Sequence, residues 1–469
     1  MPASAPHHRY CGAEIPNLDG IVTNLFPSFH LDRLSLMPES PKQFTFFPES
    51  EALTLPSPKQ RFQGTMAVRP WGAFLAAYSQ AFAEAAIKLL DLPKAAVLFD
   101  PFVGSGTTLV AAARCGIRAI GNDLDPVSAL LSRARVSSEF SERKIRALLD
   151  PAGSPQDKFI AKVAYDYFSP DDLSYSSKVF HRVSQKLKPG TKSPLKALLD
   201  DKKGVFDSEV VAIATLVAAA NKSARSIRGS NPVWHRKAIQ GERVKTAPLE
   251  RAVEELLPHI FEDLEWLRSL PAKRKITTMC GDARMPLLAS ATVDAVLTSP
   301  PYLNRLDYVV NHLPQLYLLS AIETLDLNQL RRSMTGTTKI ISKDETTEAF
   351  GPQCADVLRR IKEHKSYASD RYYQHVYRQY FSDIFTVFRQ LRRQCRIGAT
   401  GLMVVQTSYY KDILVDTPAI FTEMAEIAGF RAISFRTENV SVHYGNLSPR
   451  QLKYVPKKRL QESVLKLQF

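Results

Sequence analysis

Residues 95–123 read AAVLFDPFVGSGTTLVAAARCGIRAIGND, and that run restricts the fold more than any other part of the chain. AAVLFD is a short apolar segment that predicts a buried strand ending on Asp100. PFVGSGTT supplies a glycine-rich turn, LVAAARCGI a helix that begins at that turn, and RAIGND a second strand closing on Asp123. Parallel strands need a crossover between them, and a helix packed on the sheet is the usual one. The pattern is therefore the opening half of a doubly wound parallel sheet.

The alternation continues on both sides of a long interruption. WGAFLAAYSQAFAEAAIKLL, at 71–90, has apolar residues at three- and four-residue intervals and predicts an amphipathic helix ahead of the first strand; PVSALLSRARV predicts another after the second. Strand patterns resume at KITTMC and ATVDAVLT. After a mostly helical stretch, GLMVVQTS and RAISFRTENVSV supply further strands with the helix PAIFTEMAEIAG between them. The expected fold class is α/β: a doubly wound Rossmann-like sheet, seven-stranded with a terminal antiparallel hairpin, plus a mostly helical insertion. Residues 66–140 and 276–469 would form the sheet domain and 141–275 a mainly helical, basic insertion. Residues 1–65, rich in Pro, Ser and His, would form an irregular N-terminal extension.

Lys and Arg total 62 against 47 Asp and Glu, a formal charge of +15, so the surface attracts a polyanion and nucleic acid is the favoured partner. Cys11, Cys115, Cys280, Cys354 and Cys395 form no CxxC or Cys/His cluster, which argues against a zinc site or a disulfide framework and fits a reducing cytoplasm. No apolar run reaches the roughly 18 residues of a membrane span. The N-terminus has no basic segment leading into an apolar run, so a soluble cytoplasmic protein is expected. His312, His364 and His375 are expected to be structural, and no metal is expected.

Within the first turn, Gly104 and Gly106 would let the backbone pass close to a ligand with no Cβ in the way. The GKS or GKT of a P-loop and the GxGxxG of a dinucleotide site are absent. An anionic Asp100 would repel phosphate while suiting the cationic methionine end of S-adenosylmethionine. Asp123 closes the next strand at the distance expected of a carboxylate gripping ribose hydroxyls, whereas Asp125, ahead of Pro126, reads as a helix N-cap. Gly281-Asp282-Ala283, after the KITTMC strand, offers a carboxylate to an adenine amino group and backbone to frame the ring.

The strand DAVL runs into Thr298-Ser299-Pro300-Pro301-Tyr302. The lone pair of a base's exocyclic amine is delocalised into the ring, so the nitrogen attacks a methyl group poorly. Hydrogen bonds from its amino hydrogens to the Ser299 side chain and to a carbonyl held rigid by two prolines would favour a pyramidal, nucleophilic nitrogen. Tyr302 could stack on a base removed from the duplex.

FDPFVGSGTT resembles motif I, and TSPPY motif IV, of the amino-methyltransferases of DNA, the N4-cytosine and N6-adenine class. The likeness covers about residues 66–135 and 276–440. It implies a Rossmann-like methyltransferase sheet using S-adenosylmethionine. Phe99, Asp100, Gly104 and Gly106, with Pro101 and Thr107 in the same motif, would contact the methionine part; Asp123 would hold the ribose and Asp282, with Ala283 beside it, the adenine. Ser299, Pro300, Pro301 and Tyr302 would meet the target base. VRPWGAF, with Trp71, matches the segment before motif I only loosely, and Arg305, Asp307 and Tyr308 would lie near the pocket.

Two departures stand out: in many relatives with SPPY the catalytic motif comes first, and here a long segment separates the second and third motifs. SPPY is more often associated with N4 of cytosine, which is favoured over N6 of adenine. C5 chemistry would need a thiolate nucleophile, and the chain has no Pro-Cys dipeptide. The alternatives are an RNA base amino-methyltransferase, or an inactive DNA-binding subunit of the same fold. Arg225, Arg228, Trp234, Arg236, Lys237, Arg243 and Arg305 are the candidate nucleic-acid contacts, and Arg450 to Arg459 form a second basic cluster. Double-stranded DNA is the expected partner. A restriction or defence partner and the choice between monomer and homodimer stay open.

Overall fold

The computed structural model describes residues 55–58, 71, 78–154, 162–189, 191, 193–199, 205–228, 235–238, 244–270, 276–303, 307–341, 350–440 and 460–469. Apart from 55–58, the expected N-terminal extension lies outside them, as do Trp234, Arg243, Arg305 and the basic cluster at 450–459.

In chain order the strands are β1 (Val97–Asp100), β2 (Arg118–Asp123), β3 (Ser226–Arg228), β4 (His235–Lys237), β5 (Ile276–Cys280), β6 (Val293–Thr298), β7 (Cys395–Gln406), β8 (Ser408–Tyr410), β9 (Ile413–Val415), β10 (Arg431–Val440) and β11 (Leu460–Gln468). One seven-stranded sheet has the order β10-β11-β7-β6-β1-β2-β5. Its β5, β2, β1, β6 and β7 are parallel, and β11 runs antiparallel to both β7 and β10. This is the expected Rossmann-like methyltransferase fold with its terminal antiparallel hairpin. Because the five strands are parallel, Asp100, Asp123, Cys280, Thr298 and Gln406 all end at one edge, where ligands bind in open sheets of this kind.

Successive side chains of a strand point to opposite faces, so each strand contributes to two cores. Leu98, Ala295, Leu297, Leu402 and Val404 pack with the helices Gln80–Leu89 and Thr107–Cys115. Phe99, Val296, Met403 and Leu465 pack with the helices Pro352–Glu363, Gln374–Gln394 and Thr417–Ile427. The Thr107–Cys115 helix stops where Gly116 takes a left-handed φ of 69°.

Segment 141–275 contains the helices Glu142–Leu148, Pro170–Ser184, Pro194–Leu199, Asp207–Ser223 and Leu249–Arg268 together with the short β3–β4 ribbon. Its helices share one apolar core with Val127, Leu130 and Leu131 of the Pro126–Ala134 helix, and with Val309, Leu316 and Leu319 beyond β6. Asp207–Ser223 lies at the centre of this core, with Val210, Val211, Ile213, Ala214, Leu216 and Val217 all fully buried. Two carboxylates tie the segment together. Asp172 Oδ2 accepts from the Ser169 N–H at 3.1 Å as the second half of a capping box, while Oδ1 accepts from Leu249 N at 2.7 Å. Asp207 accepts from Arg133 and from the Glu139 N–H, the latter at 2.8 Å.

Removing one partner of a buried ion pair leaves the other charge without compensation. Asp207→Ala is expected to destabilise the chain by about 3 kcal/mol, measured as a lower urea midpoint. The double variant Arg133→Met/Asp207→Leu should recover much of that loss, since it leaves no charge behind.

Candidate active site

Asp100, at the end of β1, is 2% exposed and is held from four directions. Oδ1 accepts from the Phe102 N–H at 3.1 Å and the Thr298 hydroxyl at 2.7 Å; Oδ2 accepts from the hydroxyls of Thr108 and, at 3.3 Å, Tyr78. Burial pushes its carboxyl up to about 6 despite these bonds, which act the other way.

The two glycines of the turn serve different ends. Gly104 has φ of 50°, and a Cβ there would have no atom within 4 Å, so the backbone borders open space. Gly106 has φ of 84°, and a Cβ there would sit 3.0 Å from Ser132 Cα, so its missing side chain admits the neighbouring Pro126–Ala134 helix. From behind, the buried Arg135 guanidinium donates to the Ser105 carbonyl, and burial lowers that group to about 10. Trp71 lies beside this support: its Nε1–H donates to Asp263 Oδ2 at 2.7 Å.

Asp123 ends β2 next to the turn, where Oδ2 accepts from Gly104 N and Oδ1 from Asp125 N, each at 2.9 Å. A carboxylate has about four acceptor positions, so each oxygen keeps one for a ligand hydroxyl. Burial first, then the neighbouring Asp125, push Asp123 up to about 7. Asp125 caps the following helix through Val127 N at 3.0 Å, as expected, and its other oxygen meets His312 Nδ1. Asn122 Nδ2 donates to the carbonyls of Pro101 at 3.1 Å and Gly281 at 2.9 Å, joining the first turn to the one after β5. Asp282 is engaged by Arg284 (Nε–Oδ1 2.9 Å, Nη2–Oδ2 2.6 Å), which also reaches Asp383 Oδ1 and the Ser333 carbonyl, each at 2.7 Å.

At the end of β6, Ser299 Oγ donates to the Val404 carbonyl at 3.1 Å, and the Tyr380 hydroxyl donates to the Pro301 carbonyl at 2.8 Å. Tyr302 is 8% exposed, and its hydroxyl donates to Glu462 Oε1 on β11 at 2.8 Å. Burial and the Glu462 charge raise the Tyr302 phenol well above its ordinary range.

These segments enclose a cleft of about 970 Å³ including its mouth. Of the expected residues, Asp100, Pro101, Gly104, Thr107, Asp123, Asp282, Ala283, Ser299 and Pro301 line it. Phe99 is buried in the core beneath, Gly106 packs on Ser132, and Pro300 and Tyr302 are not among the lining residues. Tyr78, Asn122, Tyr308, Asn311, His312 and Thr335 also line it; of these, sequence reasoning singled out Tyr308 as near the pocket and His312 only as structural. A hydroxyl two residues before a helix and an Asn inside a strand carry no sequence signal of their own; their roles come from Asp100 and Gly281, distant in the chain. Arg225, just before β3, and Arg236 and Lys237, within β4, are exposed and are not among the lining residues; Arg228 lies within β3.

No protein-family model matches the chain. The Type II methyltransferase M.BsoBI of Geobacillus stearothermophilus is 24% identical over 429 residues, covering 82% of this chain and 83% of that protein. M.MjaII of Methanocaldococcus jannaschii, also a Type II methyltransferase, is 23% identical over 374 residues, 62% of this chain and 69% of that one. The Type II methyltransferase M.AvaI of Nostoc sp. is 22% identical over 368 residues, 71% and 73% of the two chains. The chain is thus a low-identity homologue of Type II methyltransferases, and methyltransferases of this kind use S-adenosylmethionine as methyl donor. The site fits that group: open space over Gly104, spare acceptors on Asp123, and buried carboxylates facing a cationic ligand.

Carboxyls whose folded pKa lies above the ordinary value near 4 keep a proton that the unfolded chain releases, so stability falls as pH rises through that window. Asp100 at about 6 and Asp123 at about 7 act in this sense, as do Asp263 and Asp383, each pushed to about 6 by burial. The ligand-free protein should therefore melt at a lower temperature at pH 8 than at pH 5.5. S-adenosylmethionine, favoured by ionised carboxylates, should raise the melting temperature more at pH 8. Calorimetry showing a larger ligand effect at pH 5.5 would contradict the assignment of these carboxylates.

Proposed function

We propose that this chain is an S-adenosylmethionine-dependent DNA methyltransferase acting on the exocyclic amine of a base withdrawn from the duplex, N4 of cytosine rather than N6 of adenine. The observation that carries the reading is the state of Ser299. Its hydroxyl lines the cleft with two partners on the protein side, the Val404 carbonyl at 3.1 Å and the Tyr302 phenol. With its hydrogen drawn to partners within the protein, the oxygen keeps a lone pair for an amino hydrogen of the base.

S-adenosylmethionine supplies a methyl group made electrophilic by the sulfonium. The chain's own part is to bind and orient. Asp123 is positioned to hold the ribose hydroxyls, and Gly104 lets backbone approach the methionine part. Asp282 and Ala283 border the adenine position, with Asp282 set in place by Arg284. Ser299 accepts one amino hydrogen of the base. A carbonyl of the rigid Ser-Pro-Pro segment, of which Ser299 and Pro301 line the cleft, is the second acceptor; the Pro301 carbonyl is held by the Tyr380 hydroxyl and keeps a second lone pair. Both bonds draw the amine out of conjugation, and its surplus proton passes to water once the new N–C bond has formed.

The choice of cytosine N4 rests on the SPPY form of the motif. Among the described residues no cysteine lines the cleft, which leaves C5 attack without a nucleophile. Segment 141–275 is assigned to target recognition, with the exposed Arg225, Arg236 and Lys237 as phosphate and groove contacts. Lys237 pairs with Asp166 at 3.3 Å, but both are exposed, so the pair is weak enough to yield to a phosphate. A cytoplasmic location and a restriction partner belong to the same proposal. Among the described residues no helix is long and apolar enough to cross a membrane.

Incubation with labelled S-adenosylmethionine and unmethylated genomic DNA, followed by nucleoside mass spectrometry, should give N4-methylcytosine. N6-methyladenine would correct the target atom, and label entering RNA alone would overturn the reading. Ser299→Ala should leave cofactor affinity unchanged and lower kcat by roughly 100-fold, the scale of losing one hydrogen bond made in the transition state.

A further inference from the structure

We propose that Tyr367 is a base-stacking contact to DNA, presented beside the catalytic segment by a braced turn; the proposal rests on the DNA methyltransferase reading above. Strands β6 and β7 are parallel, so residues 407–415 leave the sheet at the same edge as Ser299. The connection to the catalytic segment is direct: Ser408 Oγ donates to the carbonyl of Leu303, the residue after Tyr302.

Two residues further on, Tyr410 is 3% exposed, and its hydroxyl meets Ser366 Oγ at 2.8 Å and Ser369 Oγ at 2.7 Å. Its ring contacts those of His364, Tyr373 and Tyr377. His364 binds Ser366 Oγ through Nδ1 at 2.9 Å and Asp412 Oδ1 through Nε2 at 2.8 Å. The 364–369 turn is therefore fixed to the β8–β9 hairpin by several bonds, and that hairpin is fixed to the catalytic segment.

The backbone at both places is strained. Ala368 has φ of 60° and Lys411 φ of 56°, in the region that disfavours side chains by roughly 1 kcal/mol or more. Lys411 opens the two-residue turn between β8 and β9, a position that ordinarily takes glycine. Such conformations persist where their surroundings over-determine them, and they cluster where a group must be held in place for a ligand.

What the strain holds in place is Tyr367, which is 94% exposed. A phenol so exposed adds almost nothing to folding. On a rigid turn it is a flat, pre-organised surface that loses little entropy on contact. Lys365 and Arg371 are exposed on either side of it. Arg371 pairs with Asp370 at 3.7 Å, but the side chains are 88% and 58% exposed, too solvated for the pair to neutralise it. An exposed aromatic on a chain segment with exposed cations two residues before and four residues after it suits nucleic acid: the ring for a base unstacked when its neighbour is withdrawn, the cations for phosphates.

Sheared unmethylated genomic DNA is the probe, with affinity measured for the wild type, Tyr367→Ala and Tyr367→Trp. Tyr367→Ala should weaken binding roughly 5- to 100-fold, the range for losing one base–aromatic stack, and Tyr367→Trp should restore it. Melting temperature and S-adenosylmethionine affinity should not change in either variant. Photocrosslinking to 5-bromodeoxyuridine-substituted DNA should place label on the peptide bearing Tyr367. Wild-type affinity in Tyr367→Ala overturns the proposal, as does an equal loss in the tryptophan variant or a change of oligomeric state in place of DNA affinity. A wild type that binds DNA through Tyr367 but methylates none would sink the enzymatic reading and leave this contact standing. One that binds no DNA overturns both.

Discussion

The burial of Asp100 is the constraint on which the rest of this structure depends. A carboxylate taken out of water is costly unless its acceptor positions are filled, and here the donors come from separate parts of the chain. Tyr78 precedes the first strand, Phe102 lies in the turn, Thr108 is in the first turn of the helix and Thr298 ends β6. Those bonds set the cofactor turn and Ser299 in fixed relation, since Ser299 follows Thr298 directly. The chemistry of the cleft is thus registered through one side chain that need not take part in it.

A second set of polar contacts repeats the device. Asp123 holds the turn through Gly104 N, Asn122 joins that turn to Gly281, and Arg284 links Asp282 to Asp383 and to Ser333. Each bond bridges elements that meet only in the fold, so the walls of the cleft are set by polar contacts as well as by packing. Burial raises the Asp100 and Asp123 carboxyls against the pull of their hydrogen bonds. A cationic ligand relieves the resulting tension, which makes the empty site less stable at high pH than the filled one.

Segment 299–302 is held chiefly by residues much later in the chain. Val404, Tyr380, Glu462 and Ser408 fix Ser299, Pro301, Tyr302 and Leu303 in turn. Two consecutive prolines already restrict the backbone, and these partners restrict where it points. The same late region carries the braced turn of Tyr367, so the framework that holds Ser299 also holds an exposed aromatic.

The sequence by itself determined the doubly wound sheet, because strand, glycine turn, helix and acid-ended strand at that spacing admit few arrangements, and it located Asp100, Asp123, Asp282 and Ser299 in the cleft through strands that all end at one edge. It could not separate the two glycines: both read as ligand-approach positions, and only the packing of the Pro126–Ala134 helix shows that Gly106 exists for Ser132 while Gly104 faces open space. Tyr302 reads as a stacking ring, yet its burial against Glu462 depends on how β11 inserts beside β7, a pairing between residues far apart in the chain. Tyr78, Asn122 and His312 were equally invisible as cleft residues, since a hydroxyl, an amide or an imidazole acquires a role only from the partner set opposite it. Local pattern decides which elements form; long-range pairing decides which side chains meet, and that is a property of the tertiary structure alone.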